Sequence, residues 1–222
     1  MKGIALLVGL GPLIGWGLFP TIASKIGGKP VNQIIGATFG TFIFAVIYNL
    51  MQGIALPTGS ALIWSIISGI GWASAQILTF HSFTLIGEIG YWAYSAAPQA
   101  AKIDGSKAFL PQAIGMCLVA IFYTIYLKVK NPNQAIALAQ GISYKQIISG
   151  FFFAFAALTY LISAQPDMNG LATGFILSQT SVVLATLTGI WFLHESKTKK
   201  EMIVTLVGLA IIIGAATMTV IV

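Results

Sequence analysis

The feature that most constrains this chain is the length of its apolar stretches. No Lys or Arg occurs between Lys29 and Lys102, and Glu88 is the only acid in that interval. Of the 222 residues, 57% are hydrophobic and 7% are charged. So few charges cannot supply a water-facing shell around a folded chain. The sequence therefore predicts an integral membrane protein.

Eight segments are candidates to cross a bilayer. A helix needs about 20 apolar residues to span the hydrocarbon core, and an uncharged helix leaves few backbone groups unpaired in lipid. Division at polar and turn segments gives spans at residues 3–23, 31–51, 61–83, 86–101, 108–127, 146–163, 169–193 and 202–222. The fourth is the shortest, and no polar loop precedes it. The predicted fold class is an all-α polytopic membrane protein.

Three sequence elements recur in the same order. They are Trp16 and Trp92, 76 positions apart, "Q-x-x-G" at 33–36 and 112–115, 79 apart, and "IISG" at 66–69 and 147–150, 81 apart. A nearly constant spacing predicts a duplicated transporter half. The first repeat, residues 1–87, would hold three helices and the second, residues 88–222, five. Because both numbers are odd, the two halves would enter the membrane in opposite directions, as an incomplete inverted repeat.

The basic residues predict the orientation in the membrane. With eight spans, the side of the N-terminus carries Lys2, Lys102 and Lys107, and the other side carries the remaining eight of the 11 basic residues. The positive-inside rule then places both termini outside. Lysines scattered over short connections do not predict nucleic-acid binding. Cys117 is the only cysteine, so neither a disulfide, a cysteine-rich metal site nor a cofactor is expected.

Three segments resemble a known family of carriers. They are "LIGWGLFPTIASKIGGKPVNQIIGATFGTFIFA", "GEIGYWAYSAAPQAAKIDGSKAFLPQAIGM" and "IISGFFFAFAALTYLISAQPDMNGLATGFILSQTSVVLATLTGIWFL". They are similar to the ribose uptake proteins of the glucose/ribose porter family, within the drug/metabolite transporter superfamily. The resemblance is nearly free of gaps over most of the chain.

The resemblance implies a fold and a substrate, and it implies that this chain is shorter than the members of the family. Members of the family have ten helices in two inverted five-helix repeats; here the fourth and fifth have no counterpart, and the seam falls between Gly87 and Glu88. The implied function is secondary active uptake of a small sugar, ribose first, across the cell membrane, with proton coupling. The implied partners are the sugar and the lipid bilayer. A homodimer could restore the cavity wall that the absent helices leave open.

A sugar site needs amide or hydroxyl groups for hydrogen bonds and an aromatic plane for the C–H faces. In the first half the candidates are Trp16, Trp72 and Gln76, of which the last two are four residues apart and share one helical face. Pro20 removes a backbone bond from the segment of Trp16, so a kink toward a cavity is expected there. Packing of Trp72 and Gln76 between helices, and Trp16 as an interface anchor, stay open as alternatives.

The second half offers more candidates of the same kind. They are Tyr91, Trp92, Tyr94, Gln99, Gln112 and Gln179. Tyr91 and Tyr94 are three apart and can lie on one face. An aromatic belt at the membrane interface is the alternative reading of this segment.

Glu88 is the candidate for proton coupling. Desolvation would favour its neutral form, and a solvated state would release the proton. His81 lies seven residues earlier, on the same face if the helix continues. Alternatively, Glu88 lies in a turn at the membrane surface and is simply solvated.

Small residues spaced four apart predict close helix crossings. The pairs are Gly11 and Gly15, Gly36 and Gly40, Gly170 and Gly174, and Ala210 and Gly214. They carry no information about the substrate.

Two other functions stay open on the sequence. A relative that lacks two helices could insert and pack without transporting anything. An exporter of cationic compounds would use Glu88 as an acid facing its cavity. A membrane enzyme is not expected, because five acids and two histidines are scattered along the chain.

Overall fold

The computed structural model describes residues 2–80, 94, 97–98, 102–194 and 197–221. All regular secondary structure in these residues is helical, so the predicted all-α class is confirmed. The helices are α1 (Lys2–Gly9), α2 (Gly11–Ile26), α3 (Pro30–Gln52), α4 (Gly59–Phe80), α5 (Gly105–Lys130), α6 (Gly141–Lys145), α7 (Ile147–Ser163), α8 (Gly170–Gln179), α9 (Ser181–Phe192) and α10 (Lys199–Ile221), with a 3-10 turn at Ala137–Ala139.

Seven described segments are long and apolar enough to cross a membrane. They are Gly3–Ile26, Pro30–Gln52, Gly59–Leu78, Gly105–Lys130, Gly141–Ser163, Gly170–Phe192 and Lys199–Met218. Their bounds agree with seven of the predicted spans to within five residues. The predicted fourth span, residues 86–101, lies outside the described residues except for Tyr94, Ala97 and Pro98, which are helical.

Contacts divide the chain into two compact units. The central unit is residues 26–154 and contains α3 to α6 with the first part of α7. The terminal unit combines residues 1–25 with residues 155–222. These units follow packing rather than sequence similarity, so they do not coincide with the predicted repeats 1–87 and 88–222, which stay a prediction.

The direction of three helices follows from their connections within the central unit. Residues 53–58 join α3 to α4, so α4 begins at the end where α3 finishes. The start of α5 lies at that same end, where the Tyr48 hydroxyl donates to Ser106 Oγ at 3.4 Å. The finish of α4 and the start of α5 therefore lie at opposite ends of the unit, as a span between them would require.

The other end of the central unit, where α3 begins and α5 finishes, is called here the lysine end. It carries Lys29, Lys128, Lys130 and Lys145. Hydrogen bonds from buried side-chain amides hold the connecting segments at this end in place. Asn32 Nδ2 donates to Gln140 Oε1 and to Ser143 Oγ, each at 2.8 Å, and Gln146 Nε2 donates to the Gly27 carbonyl at 2.7 Å. The segment after α5 is thus held against the start of α3.

Glycines bring two pairs of helices into backbone contact in the central unit. α3 crosses α7 at Gly36, Gly40 and Gly150, and α4 crosses α5 at Gly69 and Gly115. At Gly40, Gly69, Gly115 and Gly150 a Cβ atom would overlap backbone atoms of the facing helix, and at Gly36 it would overlap Gln146, the residue just before α7. Small residues permit such close approach between membrane helices. The close crossing predicted at Gly36 and Gly40 is confirmed.

In the terminal unit, glycines of the first span face side chains of the neighbouring helices. A Cβ atom at Gly9 would lie 2.6 Å from the Leu177 side chain, and one at Gly17 would lie 2.7 Å from Leu184. The two hydroxyls of Thr21 and Thr188 lie 2.7 Å apart and share a hydrogen bond. By contrast, nothing lies within 4 Å of a Cβ atom placed at Gly214, so the crossing predicted there is wrong for the described residues.

Two spans of the terminal unit are interrupted. The first is divided at Leu10, between α1 and α2, because Pro12 has no N–H to donate to the carbonyl four residues earlier. The seventh predicted span is divided at Thr180, where the Thr180 and Ser178 hydroxyls each donate to a carbonyl three residues back at 2.6 Å. Such bonds bend helices. α2 continues through Pro20 without a break, and the kink expected there stays a prediction.

Candidate functional site

A chain of buried hydrogen bonds joins three segments of the central unit. Gln112 Nε2, on α5, donates to Ser68 Oγ, on α4, at 2.6 Å. The Ser68 hydroxyl donates in turn to the backbone carbonyl of Tyr94 at 2.7 Å. All three residues are buried, and Gln112 has no exposed surface. Close approach at Gly69, which touches the Gln112 backbone, brings the two helices near enough for these bonds.

One side-chain oxygen in this cluster has no hydrogen-bond donor among the described residues. Gln112 Oε1 is buried, and it accepts no hydrogen bond from any residue that the structure describes. A buried acceptor without a donor costs about 1–3 kcal/mol, so polar groups of this kind are rarely left alone without a functional reason. The position suits a ligand that brings its own hydroxyl donor.

An aromatic pair lies beside the cluster. Trp72, on α4, and Phe153, on α7, have ring centroids 4.2 Å apart with an interplanar angle of 42°. Trp72 is 4% exposed and Phe153 is 2% exposed. Because Trp72 follows Ser68 by four residues, the indole lies one helical turn from the hydrogen-bonded serine. We call Ser68, Trp72, Tyr94, Gln112 and Phe153 the central site.

The structure brings together three of the residues predicted from the sequence. Trp72, Tyr94 and Gln112 all belong to the central site. Gln76 is half-buried and lies one turn beyond Trp72 on α4.

The remaining candidates lie elsewhere. Trp16 and Gln179 belong to the terminal unit, where Trp16 packs on Tyr160 with ring centroids 5.6 Å apart and the Gln179 side chain is exposed at the break before Thr180. Tyr91, Trp92, Gln99 and Glu88 lie outside the described residues. Sugar binding by any of these residues stays a prediction.

Two members of the central site were missed by inspection of the sequence. Ser68 belongs to the first "IISG" copy, and Phe153 lies 81 positions after Trp72, the same spacing as the two "IISG" copies. Extending the repeat by three residues would have paired Phe153 with Trp72. An apolar phenylalanine in an apolar span gives no other signal.

The chemistry of the central site suits a neutral polyhydroxylated molecule. It offers an amide oxygen, a hydroxyl and an aromatic pair, and Ser68, Trp72, Gln112 and Phe153 carry no charge. Within the described part of the chain, no three His, Cys, Asp or Glu side chains come together as a metal site would need. The site can bind and orient a ligand; it holds no nucleophile paired with a base.

Comparison with known proteins gives a clear relationship. The family model described as sugar transport protein matches residues 7–88 and again residues 83–222. Three similar proteins carry the name "Putative ribose uptake protein RbsU". The one from Lactobacillus johnsonii is 68% identical and covers 100% of both chains; those from Lactiplantibacillus plantarum and Enterococcus faecalis are 52% and 51% identical, with 99% of each chain covered. No solved structure shows a significant match.

The comparisons also show where this chain is shorter than its relatives. The alignment with the Lactobacillus johnsonii protein extends over 296 positions, whereas this chain has 222 residues, so 74 positions have no residue here. The two segments of the family match meet at residues 83–88. The seam predicted between Gly87 and Glu88 falls in that overlap.

A match over nearly the whole chain, relatives above 50% identity and seven membrane-spanning segments lead to one conclusion. This multi-pass membrane protein is a transporter rather than an enzyme, and it belongs to the sugar transport protein family.

Proposed function

We propose that this protein takes up a small sugar, ribose, across the cell membrane and binds it at the central site. The observation that carries the proposal is that Gln112 Oε1 is buried and has no hydrogen-bond partner among the described residues. A sugar hydroxyl would donate to this oxygen, and the Trp72 and Phe153 rings would pack on the C–H faces of the sugar. The names of the relatives supply ribose as the first candidate among small sugars.

Access to the central site would need its helices to move apart. Ser68 and Gln112 are fully buried and both aromatic rings nearly so. Carriers alternate between states that open to either side of the membrane around a site near the repeat interface. We take the packed arrangement to be an occluded state of the carrier.

The predicted inverted repeat supports this location. At the spacings of the two recurring motifs, Gly36 corresponds to Gly115 and Gly69 to Gly150. Gly36 lies at the crossing with α7 that contains Gly150, and Gly115 lies at the crossing with α4 that contains Gly69. The two crossings are therefore counterparts. Trp72 and Phe153 are counterparts as well, and they touch, as residues on an axis relating two repeats would.

Proton coupling is the finer part of the proposal. The resemblance to proton-linked sugar porters supports it, and Glu88 is the candidate because it is the only acid between Lys29 and Lys102. An embedded carboxylic acid can carry a proton with the substrate.

A second candidate function is favoured by the shortening. A chain that lacks 74 alignment positions of its relatives could insert in the membrane without completing a transport cavity.

A homodimer could complete that cavity with helices of a second copy. α10 suits such an interface, because most of its residues are not buried and nothing lies within 4 Å of a Cβ atom placed at Gly208 or Gly214. Disulfide cross-linking of Gly214→Cys in a Cys117→Ala background would detect the dimer, and its absence at high density in membranes would exclude this interface.

The test is uptake of radiolabelled ribose by cells that lack their own ribose transport and express the full chain. The proposal predicts saturable uptake that a protonophore abolishes. Saturable uptake that is insensitive to the protonophore would contradict proton coupling and leave the proposal of sugar uptake standing. No uptake, from a chain shown to be in the membrane, would establish the second candidate.

A further inference from the structure

The lysine end of the central unit carries positive charge that no acid described in that unit balances. Lys29, Lys128, Lys130 and Lys145 are all exposed there. The sequence has no Asp or Glu in residues 1–87 or 105–166. Asp104, the acid described in this unit, lies just before α5 at the other end, about 36 Å from Lys128 at 1.5 Å per helical residue. That separation is far beyond the Debye length of about 10 Å.

A cavity opens between two of these lysines. Its volume is about 30 Å³, enough for a water or two in this conformation, and it is partly open to the outside. Lys29 and Lys128 line it together with the amides of Gln134 and Gln140 and the Thr124 side chain. Two cations and two amides surround one opening, and although Gln140 Nε2 already donates to the Ala135 carbonyl, the remaining N–H groups form a donor-rich site for an oxyanion.

The loop around this opening is held in shape by one of the lysines. Lys128 Nζ donates to the carbonyls of Pro132 at 2.5 Å and Gln134 at 2.9 Å. An ammonium has three donors, so two carbonyls leave one for a ligand. The Asn32 bonds to Gln140 and Ser143 fix the opposite wall.

α5 also carries an exposed apolar strip, about a quarter of a turn round the helix from Lys128, which lines this opening. Phe122 is 68% exposed, Val129 is 73% exposed, and Ile125 lies between them on the same side of the helix. Tyr126 and Tyr144 are exposed near its end, as aromatic residues at the headgroup level of a membrane commonly are. A free anion would make no use of this strip, whereas an acyl chain would lie along it.

We propose that the opening between Lys29 and Lys128 binds the phosphate of an anionic phospholipid, with an acyl chain along the strip of Phe122, Ile125 and Val129. The lysine predominance places this end on the inner side of the membrane, where anionic headgroups attract basic segments. This inference does not depend on the sugar or on transport.

The test is lipid binding by the purified full-length protein, measured as the rise in its unfolding temperature with added lipid. Phosphatidylglycerol is compared with phosphatidylcholine and with inorganic phosphate alone. We expect phosphatidylglycerol to stabilise the wild type at low concentration, and the other two to have no comparable effect. Lys29→Gln should weaken the response about fivefold, and Lys29→Gln with Lys128→Arg should resemble Lys29→Gln because the second charge is kept.

A matched pair controls for charge. Lys102→Gln with Lys107→Gln removes two exposed charges away from this opening and should leave the response to phosphatidylglycerol unchanged. An equal loss of stabilisation in that control would mean that anionic lipid is attracted by the protein's overall positive charge, and it would overturn the proposed site. Stabilisation by inorganic phosphate at the same concentrations would show a free-anion site instead, and equal stabilisation by phosphatidylcholine would show that the phosphate of an anionic lipid is not recognised.

Discussion

At the residue scale, the central site rests on a few side chains whose surroundings are unusual for a membrane span. Gln112 has one amide atom bonded to Ser68 and the other, Oε1, without a described partner. Trp72 is nearly fully buried against Phe153, whereas Trp64, eight residues earlier on the same helix, is 43% exposed. Two tryptophans of one helix thus provide a matched comparison.

Replacing Trp72 by Ala should lower ribose uptake at least tenfold. The change removes the indole from the aromatic pair, and it also leaves a cavity that costs about 3–5 kcal/mol of stability. Trp72→Phe keeps an aromatic plane and should retain most of the uptake. Trp64→Ala should transport like the wild type. Uptake is compared at equal amounts of protein in the membrane, and an unchanged rate for Trp72→Ala would remove Trp72 from the site.

At the element scale, spans were predictable and their interruptions were not. Apolar segments bounded by lysines or turns locate seven helices, because the cost of charge in lipid sets their ends. The breaks at Leu10 and Thr180 depend on which local bond replaces the helical one. Pro12 breaks the first span whereas Pro20 does not, and composition alone does not distinguish the two prolines.

The same limit applies to helix pairing. Spacing four apart identified Gly36 and Gly40, but Gly214 has the same spacing from Ala210 and open space around it. Likewise, Gln112 was predictable as a buried amide, yet its partner Ser68 follows only from the crossing of α4 and α5. Which helices meet is a property of the whole bundle.

The crossing of α4 and α5 should be sensitive to a single methyl group. Gly115→Ala places a Cβ atom against the Ile66 carbonyl and should destabilise the protein by about 1–3 kcal/mol. Gly208→Ala meets nothing within 4 Å and should be neutral or slightly stabilising, since alanine favours a helix over glycine. Thermal unfolding in detergent compares the two. Equal unfolding temperatures would mean that the crossing is not closely packed.

At the scale of the whole molecule, the question is how a shortened chain keeps a site. The family match is continuous on both sides of residues 83–88, and the 74 positions without a residue lie in an alignment that covers the full chain. The central site draws on α4, α5 and α7 with Tyr94, all within the central unit. Its described members are therefore present together despite the shortening.

The most direct test of the central claim is equilibrium binding of radiolabelled ribose to the purified full-length protein. We predict saturable binding by the wild type and at least tenfold weaker binding by Gln112→Leu, because one hydrogen bond lost is worth about 1.4 kcal/mol. The Gln112→Leu chain should remain folded, since it also loses a buried oxygen that has no partner among the described residues. Gln52→Leu makes the same change at an exposed helix end and should bind normally. Wild-type affinity in a folded Gln112→Leu variant, or no ribose binding by the wild type, would contradict the account.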